Sequence, residues 1–110
     1  MTTIKDLINL NGRRALITGA TGGLGRVMAS TLAELGADLI LVDISSSDIE
    51  SLSKNLTNNW GIKVESYFCD LEQQDQRSDL IEFIKASGRE LNILVNNAAF
   101  VGSSGLQGWS

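Results

Sequence analysis

The sequence predicts an α/β fold, a doubly wound parallel sheet, and three observations predict it. Four short apolar runs, each about one strand long, are spread along the 110 residues. Segments with apolar residues at helical spacing separate them. A glycine-rich stretch, TGATGGLG from Thr18 to Gly25, joins the first run to the first of these segments. Strand and helix alternating in this way mark βαβ units, in which each helix carries the chain back to begin a parallel neighbour.

Arg14 to Thr18 is the first strand, and its unbroken aliphatic centre suits a strand buried on both faces. Leu24, Met28, Leu32 and Leu35 then recur at helical spacing, with Gly36 where a helix C-cap falls. Asp38 to Asp43 is a second aliphatic strand. Ser47 and Glu50 form a capping box ahead of Ile49, Leu52 and Leu56, a single apolar stripe on a helix that lies on the sheet. Val64 to Asp70 is the third strand, with more alternation in VESYFC. Leu80, Ile81 and Ile84 mark a third helix ending near Ser87 and Gly88, before the fourth strand, Leu91 to Asn96. Right-handed crossovers order these strands 3-2-1-4, with a ligand crevice at the switch point between strands one and four. Phe100 to Ser110 has three glycines, three serines and no period, and reads as a loop leading onward.

Composition narrows the function. A chain of 110 residues that is 43% hydrophobic suffices for one domain with a modest core, residues 1–110. A net charge of -4, with nine scattered Lys and Arg, offers no footprint for nucleic acid. The amino terminus lacks a continuous apolar segment, and the longest aliphatic run, Leu39 to Val42, is far too short to cross a bilayer, so a cytoplasmic protein without membrane contact is expected. A single cysteine, Cys69, and the absence of histidine argue against a zinc or transition-metal centre.

The glycine stretch is the first chemical signal. A helix N-terminus presents unpaired N–H groups and the positive end of a dipole, which favour a pyrophosphate wherever the backbone can approach it closely. Gly19 turns the chain out of the strand, Gly23 leaves room for phosphate oxygens, Gly25 allows the helix to pack against the first strand, and Thr21 offers a hydroxyl. A P-loop is excluded because no Lys-Ser or Lys-Thr pair follows the glycines. Asp43 ends the second strand 18 residues beyond Gly25, the place for an acid that accepts both hydroxyls of an adenosine ribose. A 2′-phosphate beside it would be repelled by about 4 kcal/mol per charge pair at about 4 Å and an effective dielectric of about 20. NAD is therefore expected over NADP. Arg13, Arg14 and Arg26 flank the stretch, but no Lys or Arg lies within it.

With these residues, nearly the whole chain resembles the N-terminal half of a short-chain dehydrogenase/reductase, a family of NAD(P)-dependent oxidoreductases built on a Rossmann-type domain. The TGxxxGxG pattern of the family's classical branch is matched by Thr18, Gly19, Gly23, Leu24 and Gly25, although Gly22 lets the same stretch satisfy TGxxGxxG of the extended, epimerase-like branch. Asn96-Asn97-Ala98 resembles the classical NNA motif, which stabilises the sheet and lines the adenosine-ribose side of the cofactor. Asp70-Leu71 resembles the adenine site, with the Asp70 side chain accepting from the exocyclic amine and Leu71 supplying a backbone contact; an acid heading a helix has the same appearance. The family often has Gly after NNA, where this chain has Ala99.

The resemblance also implies a Tyr-x-x-x-Lys motif and a serine to move the hydroxyl proton during hydride transfer. No such motif occurs: Tyr67 is followed four residues later by Leu71, and no Lys or Tyr follows Asn97. Ser103 and Ser104 are loop serines. No catalytic residue is assigned, and the chain is expected to carry only the cofactor-binding half, an incomplete sheet whose fourth strand would be an exposed apolar edge. The resemblance implies an alcohol or carbonyl substrate and homo-oligomers. A binding module without catalysis and an extended-branch epimerase or dehydratase are the alternatives.

Overall fold

The computed structural model describes residues 8–44 and 46–97. Its elements are β1 (Arg14–Thr18), α1 (Gly23–Glu34), β2 (Asp38–Asp43), α2 (Ser46–Trp60), β3 (Val64–Phe68), α3 (Gln74–Ala86) and β4 (Ile93–Asn96). The four strands form one sheet in the order β3-β2-β1-β4, and every pair is parallel. This is the Rossmann-type arrangement, with the order reversing beside β1.

All five residues of β1 and the four central ones of β2 are buried, which is why their aliphatic runs do not alternate. Successive side chains point to opposite faces and build two cores. Ala15, Ile17, Leu39 and Leu41 pack with Ala29 and Ala33 of α1 and Ile49, Leu52 and Leu56 of α2. Leu16, Ile40 and Val42 pack with Cys69 and with Leu80 of α3.

Several expectations change in detail. The buried face of α1 is Gly25, Ala29 and Ala33, and Leu24 is 63% exposed. Small residues bring this helix close to the sheet; Leu32 packs half-buried against the same core, whereas Leu24 and Val27 turn outward. Ile81 likewise faces outward, because Leu80 occupies the buried position of α3. Helix α2 begins at Ser46, one residue before the Ser47 expected to cap it, and the Ser47 side chain lies outside the described residues. Strands β3 and β4 are shorter than expected: Cys69 and Asp70 follow β3, while Leu91 and Asn92 precede β4. Trp60 is 40% exposed at the end of α2. The loop expected over Phe100 to Ser110 lies outside the described residues.

Arg14 begins the first strand as expected, and the structure supplies its partners. It stands at the start of β1, at the opposite end from the glycine stretch, with its side chain 1% exposed. There its guanidinium bonds Glu65 of β3 at 3.0 Å and the Ser87 hydroxyl at 2.7 Å. No helix among the described residues is long and apolar enough to cross a membrane.

Candidate cofactor site

A cleft of about 1040 Å³ opens at the carboxyl ends of the strands, where a sheet of this topology binds ligands. The turn after β1 contributes Gly19, Thr21 and Gly22; the end of β2 contributes Val42, Asp43 and Ile44; Cys69 to Glu72 follow β3; Asn96 and Asn97 close the far side. Six residues expected from sequence therefore meet in one cleft: Gly19, Thr21, Asp43, Asp70, Leu71 and Asn97. Gly23, Leu24 and Gly25 lie outside its lining, in the first turn of α1, and Ala98 lies outside the described residues.

The turn is shaped by its glycines. Gly19 has a φ of 62°, the left-handed region that side chains disfavour. Its carbonyl accepts from the Gly22 N–H at 3.2 Å and the Asn97 Nδ2 amide at 3.3 Å. A Cβ on Gly25 would run into that carbonyl and lie 3.0 Å from Ala20 backbone atoms. A Cβ on Gly23 would meet no protein atom within 4 Å. Gly25 is thus needed for packing, and Gly23 presents open backbone at the helix start.

Helix α1 begins at N-cap Gly22 without a side-chain cap and without an acid in its first turn. Its first N–H groups are not offset by a carboxylate, the condition under which an anion is favoured at a helix N-terminus. The donor set and the open glycine backbone fit the pyrophosphate of a dinucleotide.

Asp43 is tied to this turn. Its Oδ2 accepts from the Thr21 N–H at 2.9 Å and from the Thr21 hydroxyl at 2.6 Å, while Oδ1 accepts from the Ile44 N–H at 2.7 Å. Arg26 donates through Nε to the Thr21 carbonyl at 2.9 Å, bracing the same loop. On the far side, the Thr18 hydroxyl donates to Asn96 Oδ1 at 3.0 Å and accepts from the Asn97 N–H at 3.0 Å. Asn96 and Asn97 therefore stitch β4 to β1.

Asp70 Oδ1 accepts from the Glu72 N–H at 3.0 Å, a turn that leads into α3, and its own N–H donates to Gln76 Oε1 at 2.7 Å. Arg77, absent from the sequence reading, reaches back from the first turn of α3 to the Leu71 carbonyl at 2.6 Å and lines the cleft. Its signal was positional: a helix starting three residues after Leu71 turns its first-turn side chains back toward the strand end. Cys69, read as a strand residue, instead lies in the floor of the cleft. Burial, and secondarily Asp70 and Asp79, push its thiol up from the ordinary value. Tyr67 packs against Phe83 with ring centroids 4.8 Å apart and the rings tilted by 46°. Burial raises its phenol too, with Asp79 and Cys69 adding to the effect, so Tyr67 stays protonated at neutral pH.

Comparison with known proteins agrees with this geometry. The family model for short chain dehydrogenase matches residues 13–108. A 2-dehydro-3-deoxy-D-gluconate 5-dehydrogenase from Pseudoalteromonas atlantica is 38% identical over 100 residues, covering 87% of this chain and 38% of that protein. An NAD+-bound xylitol dehydrogenase superposes with a TM-score of 0.78 at 28% identity, covering 84% of this chain and 35% of that one. An L-sorbose reductase from Gluconobacter frateurii, complexed with NADPH and L-sorbose, gives a TM-score of 0.78 at 27% identity, covering 87% and 36%. The chain spans well under half the length of the curated relatives it matches. With the glycine turn, the strand order and the Asn96–Asn97 stitch in one framework, this chain belongs to the short-chain dehydrogenase family.

Proposed function

We propose that the complete protein is an NAD-dependent oxidoreductase acting on an alcohol or carbonyl substrate, and that these 110 residues are its dinucleotide-binding part. The observation that carries the reading is Asp43, held at the cleft rim by the glycine turn itself. When bound, the nicotinamide supplies hydride chemistry. The residues described would hold the rest of the dinucleotide. The start of α1, at Gly22 and Gly23, faces the pyrophosphate; Asp43 takes the ribose; Asp70 and Leu71 take the adenine; Asn97 lines the ribose side, where the resemblance also puts Ala98, outside the described residues.

The preference for NAD rests on charge. The relatives bind either form, since one neighbour holds NAD+ and another NADPH. A carboxylate at the ribose disfavours a 2′-phosphate by about 4 kcal/mol per charge pair at about 4 Å and a dielectric of about 20. Arg77 lines the same cleft, its Nη1 donating to the Leu71 carbonyl at 2.6 Å, a bond that positions the guanidinium beside Leu71 without neutralising its charge. The proton-transfer groups then come from outside these 110 residues, because no Tyr-x-x-x-Lys occurs within them.

Titration of the full-length protein with NAD and NADP tests this reading. NAD is expected to bind at least about tenfold more tightly, with Asp43→Ala narrowing the gap. Equal affinities in the unmodified protein overturn the assignment of Asp43. Tight NAD binding without turnover of any alcohol or carbonyl would favour a binding module.

A further inference from the structure

We propose that the Thr21 hydroxyl competes with the cofactor's adenosine ribose for Asp43, and so sets how tightly the dinucleotide is held. The inference rests on the reading of the cleft as a dinucleotide site and concerns a residue of that site that acts through another.

The reason lies in how many donors Asp43 already serves. A carboxylate offers about four acceptor positions on its two oxygens. Thr21 and Ile44 fill at least three of them: the Thr21 N–H and hydroxyl on Oδ2, and the Ile44 N–H on Oδ1. At most about one position remains for them to leave, whereas a ribose diol brings two donors. One existing donor must yield if both ribose hydroxyls are to bind.

These three donors are not equally able to yield. The two N–H groups belong to the main chain, one in the glycine turn and one just past β2. They hold one oxygen each, which suffices to fix the plane of the carboxylate. The Thr21 hydroxyl adds nothing to that orientation, because it bonds the same Oδ2 as its own N–H. It is also carried by a side chain that leaves by rotation about χ1. At 2.6 Å it makes a short, charge-assisted bond, so its displacement subtracts from the affinity gained by the ribose.

The test measures dissociation constants in the full-length protein for NAD and for an NAD analogue lacking both adenosine-ribose hydroxyls. Thr21→Val removes the hydroxyl while keeping the side-chain shape and the main-chain donor; Thr21→Ala is a second deletion should the valine disturb the turn. Both are expected to bind NAD about fivefold more tightly than the unmodified protein, a net hydrogen bond's worth. Neither is expected to change affinity for the analogue, and Thr21→Ser, which restores the hydroxyl, is expected to restore the original constant. Unchanged or weaker NAD binding in both deletion variants overturns the competition while leaving the cofactor site in place, provided the unmodified protein still prefers NAD over the analogue. No such preference in the unmodified protein removes both the competition and the ribose assignment of Asp43.

Discussion

Arg14 and Glu65, on strands separated by β2, meet at 3.0 Å beneath the sheet end opposite the cleft, and their exposures are unequal: 1% for the arginine side chain and 29% for the glutamate. Arg14 Nε is buried without a hydrogen-bond partner among the described residues. The guanidinium is therefore the member that depends on the pair. Glu65→Ala should cost about 3 kcal/mol in denaturant unfolding, because it strands a buried cation. Arg14→Met should cost less, since Glu65 keeps access to water. The reverse order would show that the pair is not the source of the stability.

Gly25→Ala should destabilise the protein by about 1–3 kcal/mol and weaken dinucleotide binding together, because the added methyl runs into the Gly19 carbonyl at the turn that shapes the cleft. Gly23→Ala meets no protein atom, so its effect should fall on ligand affinity with little change in melting temperature. Paired thermal melts and NAD titrations separate the two.

Thr18 is 5% exposed and its hydroxyl bridges Asn96 Oδ1 and the Asn97 N–H. Thr18→Val should lower stability by about 1–2 kcal/mol through the polar groups it abandons, and hydrogen exchange at β4 should accelerate ahead of that at β2. Uniform acceleration across the sheet would contradict a local stitch.

Cys69 should be alkylated slowly at neutral pH, with the rate rising only above the ordinary thiol range, because burial holds the reactive thiolate in check. NAD should slow it further, since Cys69 lines the cleft. The same upward shifts at Cys69 and Tyr67 mean that the folded protein holds these protons more tightly than the unfolded chain. Their contribution to stability is complete below the ordinary values and is lost as pH rises through the raised ones. Rapid alkylation at neutral pH, untouched by NAD, would contradict this placement.

Much of the site was legible in the sequence because its signals are local. Gly19 and Gly25 sit at fixed offsets from a strand end, and Asp43 ends the next strand, so adjacency in sequence nearly dictates adjacency in space. Arg77 and the cleft position of Cys69 were not legible, because each depends on where β3 stops and how α3 turns back. The partners of Arg14 were not legible either: the sequence placed it at the start of the first strand, but its bonds to Glu65 and Ser87 depend on how β3 and the end of α3 lie beside it.

By itself the sequence determined the alternation of strands and helices, the two aliphatic strands at the centre, and the residue types able to receive a dinucleotide. Those follow from periodicity, from the absence of a side chain at glycine and from charge, all properties of short segments. Tertiary structure decided which faces were buried, placing Ala29 and Ala33 inward and Leu24 outward, and it decided the partners. It joined Arg14 to Glu65 across 51 residues and Thr18 to Asn97 across 79. Such pairings depend on the register and spacing of whole elements, and no local pattern encodes a distance of that kind.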